Sequence, residues 1–355
     1  MVHRFLAGPT LLALLLPFLL GPVDATAQTG PLVSRDTVSP PSPDLSLPSS
    51  LAASPTGSVA AWAPPPASPM ITPVRLPRTV RPLPFAAAPA RNDGIHWGRF
   101  AGVTTTLAAG YTGIYLFEKS QWWDGPGAGF TFDSHLNYAR NFDKISHLYA
   151  GEVQALINAR LLEWSGVPRP RAALWGAVTS LAAQTHVEIH DGYSARWGFD
   201  WYDQAANTVG TAWFYLHDRI PAMRRFDLRW SYYPSNAWLD NLDERQQEGT
   251  MFADDYSGHS YWVSMQVYDL LPGAAGRIWP DFLQISVGAS LHDWTDDTWS
   301  RKGPDRGPDP DAYVAYYVSL DLDWRKIIPR NTWLGRTTGD LLNRFHLPFP
   351  AIRVY

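Results

Sequence analysis

Acidic and amide side chains are concentrated between residues 188 and 210, in two segments that otherwise carry mostly apolar and small residues. Glu188 and Asp191 end the first segment, and Asp203 and Asn207 begin the second. A buried carboxylate without a partner is costly, so each of these groups needs a counter-charge, a proton, a metal ion or a ligand. The spacing therefore predicts a polar site on these two segments, without specifying a reaction.

A second pair of ionisable residues, Asp143 and His147, opens an earlier helical segment. The two are four residues apart, which places them on one face of a helix. At this spacing the aspartate can orient the imidazole and change its pKa, or the two side chains can supply two ligands to a metal ion. The alternative is structural, because an aspartate in the first turn of a helix is stabilised by the helix dipole.

These positions define one candidate site if the helices that carry them run antiparallel, because two helix starts and one helix end then meet. The candidate residues, with no individual role assigned, are Asp143, His147, Glu188, Asp191, Asp203 and Asn207. One histidine among carboxylates suits general acid–base catalysis, a divalent metal ion or a buried hydrogen-bond network. No H-E-x-x-H, G-x-S-x-G or P-loop motif decides between them, so metal and cofactor stay open.

Four helices are predicted to position these residues. Gly and Pro residues separate four mostly apolar segments, which cover residues 97–117, 142–164, 171–190 and 203–216. Their lengths and short connections indicate a helical bundle. The first helix carries a face of small residues, namely Gly102, Ala109, Gly110 and Gly113. Such a face predicts close approach of a neighbouring helix, as does Gly210 in the fourth helix.

Beyond residue 226 the apolar residues alternate instead of following a helical period. Every odd position is apolar in Leu283–Leu291, and similar alternation occurs at 228–232, 261–267 and 313–323. Strict alternation predicts half-buried antiparallel strands. The predicted fold is therefore α+β, with an N-terminal bundle of about four apolar helices followed by an antiparallel sheet of about four to five strands. The apolar face of this sheet is expected to pack on the bundle.

The chain divides into four predicted regions. Arg4, the apolar stretch from Thr10 to Leu20 and the triplet Ala25-Thr26-Ala27 have the order of a secretory signal peptide, assigned to residues 1–27. Residues 28–91 are rich in Pro, Ser and Ala and are predicted to form a disordered linker. The helical bundle is assigned to residues 92–225 and the β-rich region to 226–355, and these two regions can form one domain.

The composition limits the partners and the means of attachment. The 17 Trp and 16 Tyr residues favour a membrane surface or carbohydrate stacking in an exported protein, with a Trp-rich soluble core as the alternative. A formal net charge of −4 with scattered basic residues argues against nucleic acid. The absence of cysteine excludes disulfides and the acylated cysteine of a lipoprotein. We therefore expect a periplasmic protein associated with the outer membrane.

The candidate residues belong to a spaced motif set: Asp143-Lys144-x-x-His147, Glu188-x-x-Asp191-Gly192-x-Ser194 and Asp203-x-x-Ala206-Asn207-x-x-Gly210. This set resembles the bacterial family DUF2279, whose members are described as predicted periplasmic lipoproteins. Residues 255–262, 279–281 and 319–323 resemble longer members, so the resemblance covers roughly 95–350. It implies an envelope location and a candidate site at the matching residues, but no reaction. The skeleton is less closely similar to VanZ-type membrane proteins, whose helices are more hydrophobic.

Three functions are compatible with these observations. The first is a non-enzymatic cell-envelope protein whose polar cluster is structural or binds a small ligand or an envelope component. The second is a metal-dependent or acid–base hydrolase or transferase acting on a lipid-linked or cell-wall substrate, with His147 as acid or base. The third is an integral outer-membrane protein, suggested by the terminal Tyr355, although Arg353 interrupts the apolar alternation before it.

Overall fold

The computed structural model describes residues 94–123, 125, 127–134, 136–240, 252–271, 278–294, 311–347 and 349–354. The predicted signal peptide and linker, residues 1–27 and 28–91, lie outside the described residues. The division of the remaining chain at residue 225 stays a prediction.

Four long helices form the first part of the fold, close to the predicted positions. They are α1 (Trp97–Trp122), α2 (Phe142–Trp164), α3 (Arg169–Tyr193) and α4 (Trp201–Arg219). The helix α2 packs closely against both α3 and α4 and contacts α1 less extensively. Within the part of the chain that the structure describes, no helix is both long and apolar enough to cross a membrane.

The small residues of α1 are exposed, so the predicted close helix contact on this face is wrong. A Cβ atom built on Gly102, Gly110 or Gly113 has no atom of the described residues within 4 Å. Phe100, Val103, Leu107 and Tyr111 of α1 face the core instead, because they bury more apolar surface than glycine can. The corresponding prediction for Gly210 is confirmed, since a Cβ there would collide with the carbonyl oxygen of Leu148 on α2.

An antiparallel five-stranded sheet follows the helices and confirms the α+β class. Its strands, paired in chain order, are β1 (Phe226–Tyr232), β2 (His259–Gln266), β3 (Leu283–His292), β4 (Tyr313–Leu322) and β5 (Ala351–Arg353). Short helices among the described residues are α5 (Asn236–Asp240), α6 (Trp324–Ile327) and α7 (Trp333–Leu342). Two 3-10 turns, Phe252–Asp254 and Tyr256–Gly258, lead into β2.

The apolar face of the sheet packs on the bundle at one end, as predicted, and the rest of this face is partly exposed. At that end Tyr261 and Leu291 pack around Phe142 of α2. Two residues further along β2, a paired row across four strands is exposed: Val263 by 43%, Val287 by 53%, Val318 by 36% and Ile352 by 70%. Alternation predicts strands, but it does not reveal which of their two faces is covered.

The opposite face of the sheet is buried although it carries charged and polar residues. Arg229, Gln284 and Asp321 have no exposed surface. An Nη atom of Arg229 lies 3.1 Å from Asp321, and His346 Nδ1 lies 2.6 Å from the same carboxylate. These contacts satisfy the buried charges, as the interior of a protein requires.

The same network connects the sheet to the bundle through Arg344, which follows α7. Its guanidinium lies 2.6 Å from Glu152 on α2 and 3.4 Å from Asp227 on β1. Arg325 approaches Asp227 to 2.6 Å from another side. Burial would raise the pKa of Asp227, but Arg325 and Arg229 outweigh burial and lower it to about 2. Paired charges therefore join the sheet to the helices at this position.

Candidate functional site

One cavity of about 270 Å³ opens where the starts of α2 and α4 meet the end of α3. Five of the six predicted site residues line it, namely Asp143, His147, Glu188, Asp191 and Asp203. The sixth, Asn207, is fully buried and donates a hydrogen bond to Glu188, 3.1 Å away. The antiparallel arrangement of the three helices is what brings these side chains together.

A strained turn sets the start of α2 and with it the position of Asp143. Ala139, Arg140 and Asn141 have φ angles of 45°, 51° and 68°. Left-handed backbone is unfavourable for residues with a side chain, at a cost of about 1–3 kcal/mol each. Such a run persists only where the surrounding structure fixes it. Here Tyr138 before the turn is packed against Tyr256, which donates a hydrogen bond to Asp143 at 2.7 Å.

Lys144 holds three aspartates around its ammonium group. Its Nζ lies 3.0 Å from Asp143, 2.8 Å from Asp200 and 2.8 Å from Asp203. Burial would lower the pKa of Lys144, but Asp143 and Asp203 outweigh burial and raise it.

Lys144 and Asp200 are absent from the predicted site. The position of Lys144 inside the D-K-x-x-H motif was the available signal. Asp200 is the N-cap of α4, where its side chain accepts a hydrogen bond from the backbone N–H of Tyr202.

The hydrogen-bonded pair of Asn207 and Glu188 orients the imidazole ring of His147. Its Nδ1 lies 3.2 Å from Asn207 Oδ1, which can only accept, so Nδ1 carries the proton. Asn207 in turn donates to Glu188, which fixes the direction of the amide. Asn207 thus contacts both His147 and Glu188. The other ring nitrogen, Nε2, is directed toward the carboxylates of Asp143 and Asp203.

Nε2 of His147 faces Asp143 and Asp203 across a gap. The distances are 3.6 Å to Asp143 Oδ1 and 3.9 Å to Asp203 Oδ1, too long for hydrogen bonds. One ligand atom from each of these three residues lies within 4.8 Å of the others. In a four-coordinate site with bonds near 2.1 Å, neighbouring ligand atoms are about 3.4 Å apart. Small side-chain shifts would therefore let the three residues hold one metal ion.

The electrostatics of the site favour positive charge at this gap. Burial would lower the pKa of His147, but Asp203, Asp143 and Glu188 outweigh burial and raise it to about 9. Burial and the nearby Asp143 raise the pKa of Asp203 to about 7. Burial also raises the pKa of Glu188, to about 9. Either a proton on His147 or a cation in its place reduces the surplus of negative charge.

Two further carboxyl groups line the cavity with pKa values near neutrality. Burial raises the pKa of Asp191 to about 7, although Trp123 donates a hydrogen bond to it at 2.7 Å. Burial and Asp191 raise the pKa of Glu118 to about 8. Glu118 was not assigned to the site from the sequence; it lies just beyond the predicted end of the first helix at residue 117, whereas α1 extends to Trp122. Both groups suit proton transfer at neutral pH.

A histidine pair on α3 lies outside this cavity wall. Nε2 of His186 and Nε2 of His190 are 3.2 Å apart, and the ring of Trp123 stacks on His190 with centroids 4.8 Å apart. Burial lowers the pKa of His190 to about 4 and also lowers the pKa of His186. A neutral histidine pair one helical turn apart can itself bind transition metals, so it must be controlled for in any metal measurement.

Comparison with known families gives a match over the part of the chain that contains the candidate site. Residues 131–219 match the family model described as predicted periplasmic lipoprotein (DUF2279). The match confirms the resemblance over this range, which contains α2, α3, α4 and all six predicted site residues. No curated protein and no solved structure is significantly similar to the chain. The sequence nevertheless contains no cysteine, the residue that lipoproteins acylate.

Proposed function

We propose that this chain is a cell-envelope protein that binds a divalent cation between Asp143, His147 and Asp203. The cation would serve hydrolysis or group transfer on a substrate in the adjoining cavity. One observation carries the proposal: three ligand atoms of these residues lie within 4.8 Å of one another beside a cavity of about 270 Å³. The family description supports the envelope location.

Neighbouring side chains orient the three proposed ligands, as is usual in metal sites. His147 donates its Nδ1 proton to Asn207 and keeps Nε2 for a metal, which is the common second-shell arrangement. Tyr256 and Lys144 hold the two carboxylates in place. When Asp143, Asp200 and Asp203 are ionised, Lys144 cancels one of three negative charges. The two that remain match a divalent cation.

The cavity supplies the other requirements of metal-assisted hydrolysis. Three protein ligands leave a coordination position for water or a substrate oxygen, and a bound cation lowers the pKa of that water. Asp191 and Glu118 line the same cavity and can accept or donate a proton near neutral pH. These residues would carry protons while Asp143, His147 and Asp203 hold the cation.

The first test is a calorimetric titration of the purified chain with Mn²⁺ and Zn²⁺. We expect one site per chain, and a loss of affinity of about 100-fold or more in His147→Ala, because a ligand is removed. The matched control is His190→Ala, which removes a histidine from the neighbouring pair and should leave this site unchanged. Absence of stoichiometric binding, or an equal loss in both variants, would leave the cluster as an acid–base or structural network.

We also propose that the exposed apolar row of the sheet contacts a membrane surface. Val263, Val287, Val318 and Ile352 form a continuous strip in paired positions, with exposed fractions between 36 and 70%. Exposed apolar patches of this kind mark interaction surfaces. Because the sequence lacks a cysteine to acylate, apolar side chains are the means of membrane contact that it offers here.

Vesicle flotation tests this membrane contact. We expect Val287→Glu to weaken binding to phospholipid vesicles by about tenfold, which corresponds to about 1.4 kcal/mol. A charge at the centre of the strip must enter the lipid interface or be excluded from it. Leu334→Glu is the control, because Leu334 is 65% exposed on α7, outside the strip. Equal binding by the wild type and both variants would count against the sheet as the contact surface.

A further inference from the structure

A second cavity, of about 480 Å³, lies between α1, α2 and the first strands of the sheet. We call it the apolar groove, because its wall includes Leu107, Ile114, Val153, Ile157, Trp230 and Tyr261. It shares four wall residues with the site cavity, namely Ser146, Ala150, Gln184 and Ala253. A single molecule can therefore extend from the cation site into the groove.

The wall of the groove is mostly apolar, although it includes Thr106, Gln154 and Gln184, and the hydroxyl groups of its tyrosines are already bonded. The hydroxyl of Tyr111 accepts from Asn158 at 2.6 Å, and Tyr149 donates to the carbonyl of Arg344 at 2.5 Å. Tyr261 shares a hydrogen bond of 2.6 Å with Ser146. What remains for an occupant is the faces of the rings and the neighbouring aliphatic side chains, which favour an apolar chain.

The two cavities follow one another along α2. His147 lies at the cation site, Ala150 lies in the shared wall, and Val153 and Ile157 lie in the groove. Ile157 lies ten residues after His147, which corresponds to about 15 Å along the helix at 1.5 Å per residue. The polar cation site and the apolar groove thus lie one after the other along α2, over a distance similar to the length of a medium-length hydrocarbon chain.

We infer that the substrate is an amphiphile, with an anionic head at the cation site and a hydrocarbon chain in the groove. This inference rests on the proposed function, since the site cavity is lined by carboxylates. An anionic head can enter it only together with a cation that cancels their charge. The groove would accommodate the hydrocarbon chain of the amphiphile, because each methylene group that enters it is removed from water, which is favourable.

Binding of a homologous series measures the groove directly. We would titrate the full chain, with Mn²⁺ present, with alkyl phosphates from hexyl to decyl below their critical micelle concentrations. Affinity should rise about fourfold for each added methylene until the groove is filled. The same series of alkyl alcohols without Mn²⁺ tests the groove separately, because an alcohol has a chain but no anionic head.

A pair of glycine variants distinguishes the groove from nonspecific binding of apolar chains. Gly110 lines the groove and Gly113 does not, while a Cβ built on either has open space around it. Both Gly110→Trp and Gly113→Trp should therefore fold. We expect Gly110→Trp to remove the dependence on chain length and Gly113→Trp to keep it. Affinity that does not rise with chain length in the wild type, or that still rises in Gly110→Trp, would overturn the inference.

The two proposals can fail separately. If Mn²⁺ does not bind, but affinity for the alcohols rises with chain length and Gly110→Trp removes that rise, the cation site is wrong and the groove is supported. If Mn²⁺ binds but neither series depends on chain length, the amphiphile is wrong and the cation site is supported.

In Asp203→Asn we expect the alkyl phosphates to lose the contribution of the head to their affinity while keeping the contribution of each methylene group.

Discussion

Asp227→Ala is expected to lower the free energy of unfolding by about 3–5 kcal/mol at pH 7, the usual effect of breaking a buried ion pair from one side. The carboxylate lies 2.6 Å from Arg325 and 3.4 Å from Arg344, and Asn343 donates a hydrogen bond to it. Without Asp227 both arginines stay buried next to each other with less opposing charge. Urea unfolding followed by tryptophan fluorescence measures the change.

The pH dependence of stability gives an independent check on Asp227. Its pKa is about 2 in the folded chain, below the value of about 3.9 for an unfolded aspartate. The resulting stability is present above the unfolded pKa and is lost as the pH falls through about 2. It amounts to about 2–3 kcal/mol, and it should be absent from the acid limb of Asp227→Ala.

Asp218→Ala provides the matched comparison for Asp227. Asp218 pairs with Arg169, whose side chain is 42% exposed, so its loss should cost about 1 kcal/mol or less. If Asp227→Ala were no more destabilising than Asp218→Ala, paired charges would not be what joins the sheet to the bundle.

Lys144→Met is expected to have an effect of similar size, about 3–5 kcal/mol at neutral pH and without divalent cations. Methionine keeps the length of the side chain and removes the charge. The carboxylates of Asp143, Asp200 and Asp203, each within 3.0 Å of Nζ, would then lack their shared counter-charge. Thermal unfolding in the presence of a chelator measures the loss.

Divalent cations should restore stability to Lys144→Met, in contrast to Asp227→Ala. A ligand that binds only the folded chain adds about 2.7 kcal/mol at 100 times its dissociation constant. The variant has lost the ammonium group that the three aspartates share, so it should gain more from Mn²⁺ than the wild type does. Lys326→Met is the control, because Lys326 lies 3.9 Å from the half-exposed Asp281, outside the cluster. A loss in Lys144→Met that Mn²⁺ cannot reduce would argue for a purely structural network.

The helices and strands were accessible from the sequence because they depend on local periodicity. Helix α2 has its predicted bounds, residues 142–164, and β3 exceeds its predicted range by one residue. The convergence of α2, α3 and α4 followed from chain direction, since short connections between helices make them antiparallel. The grouping of Asp143, His147 and Asp203 therefore needed only spacing and topology.

The remaining features depend on contacts between distant parts of the chain. Asp227 and Arg229 alternate with Leu228 and Trp230, so their pattern resembles a solvated strand face, yet they are buried by residues such as Arg325 and Arg344 about 100 positions later. No local sequence pattern shows that the segment with Arg325 and Arg344 covers this strand face. In the same way, the role of Lys144 becomes visible only when Asp200 and Asp203 from α4 meet it.

Anomalous diffraction from crystals of the chain soaked in Zn²⁺ tests the cation site most directly. We expect a peak within about 2.0–2.2 Å of Asp143, His147 Nε2 and Asp203, with a fourth position open to the cavity. A peak at His186 and His190 alone, with none between Asp143, His147 and Asp203, would contradict it.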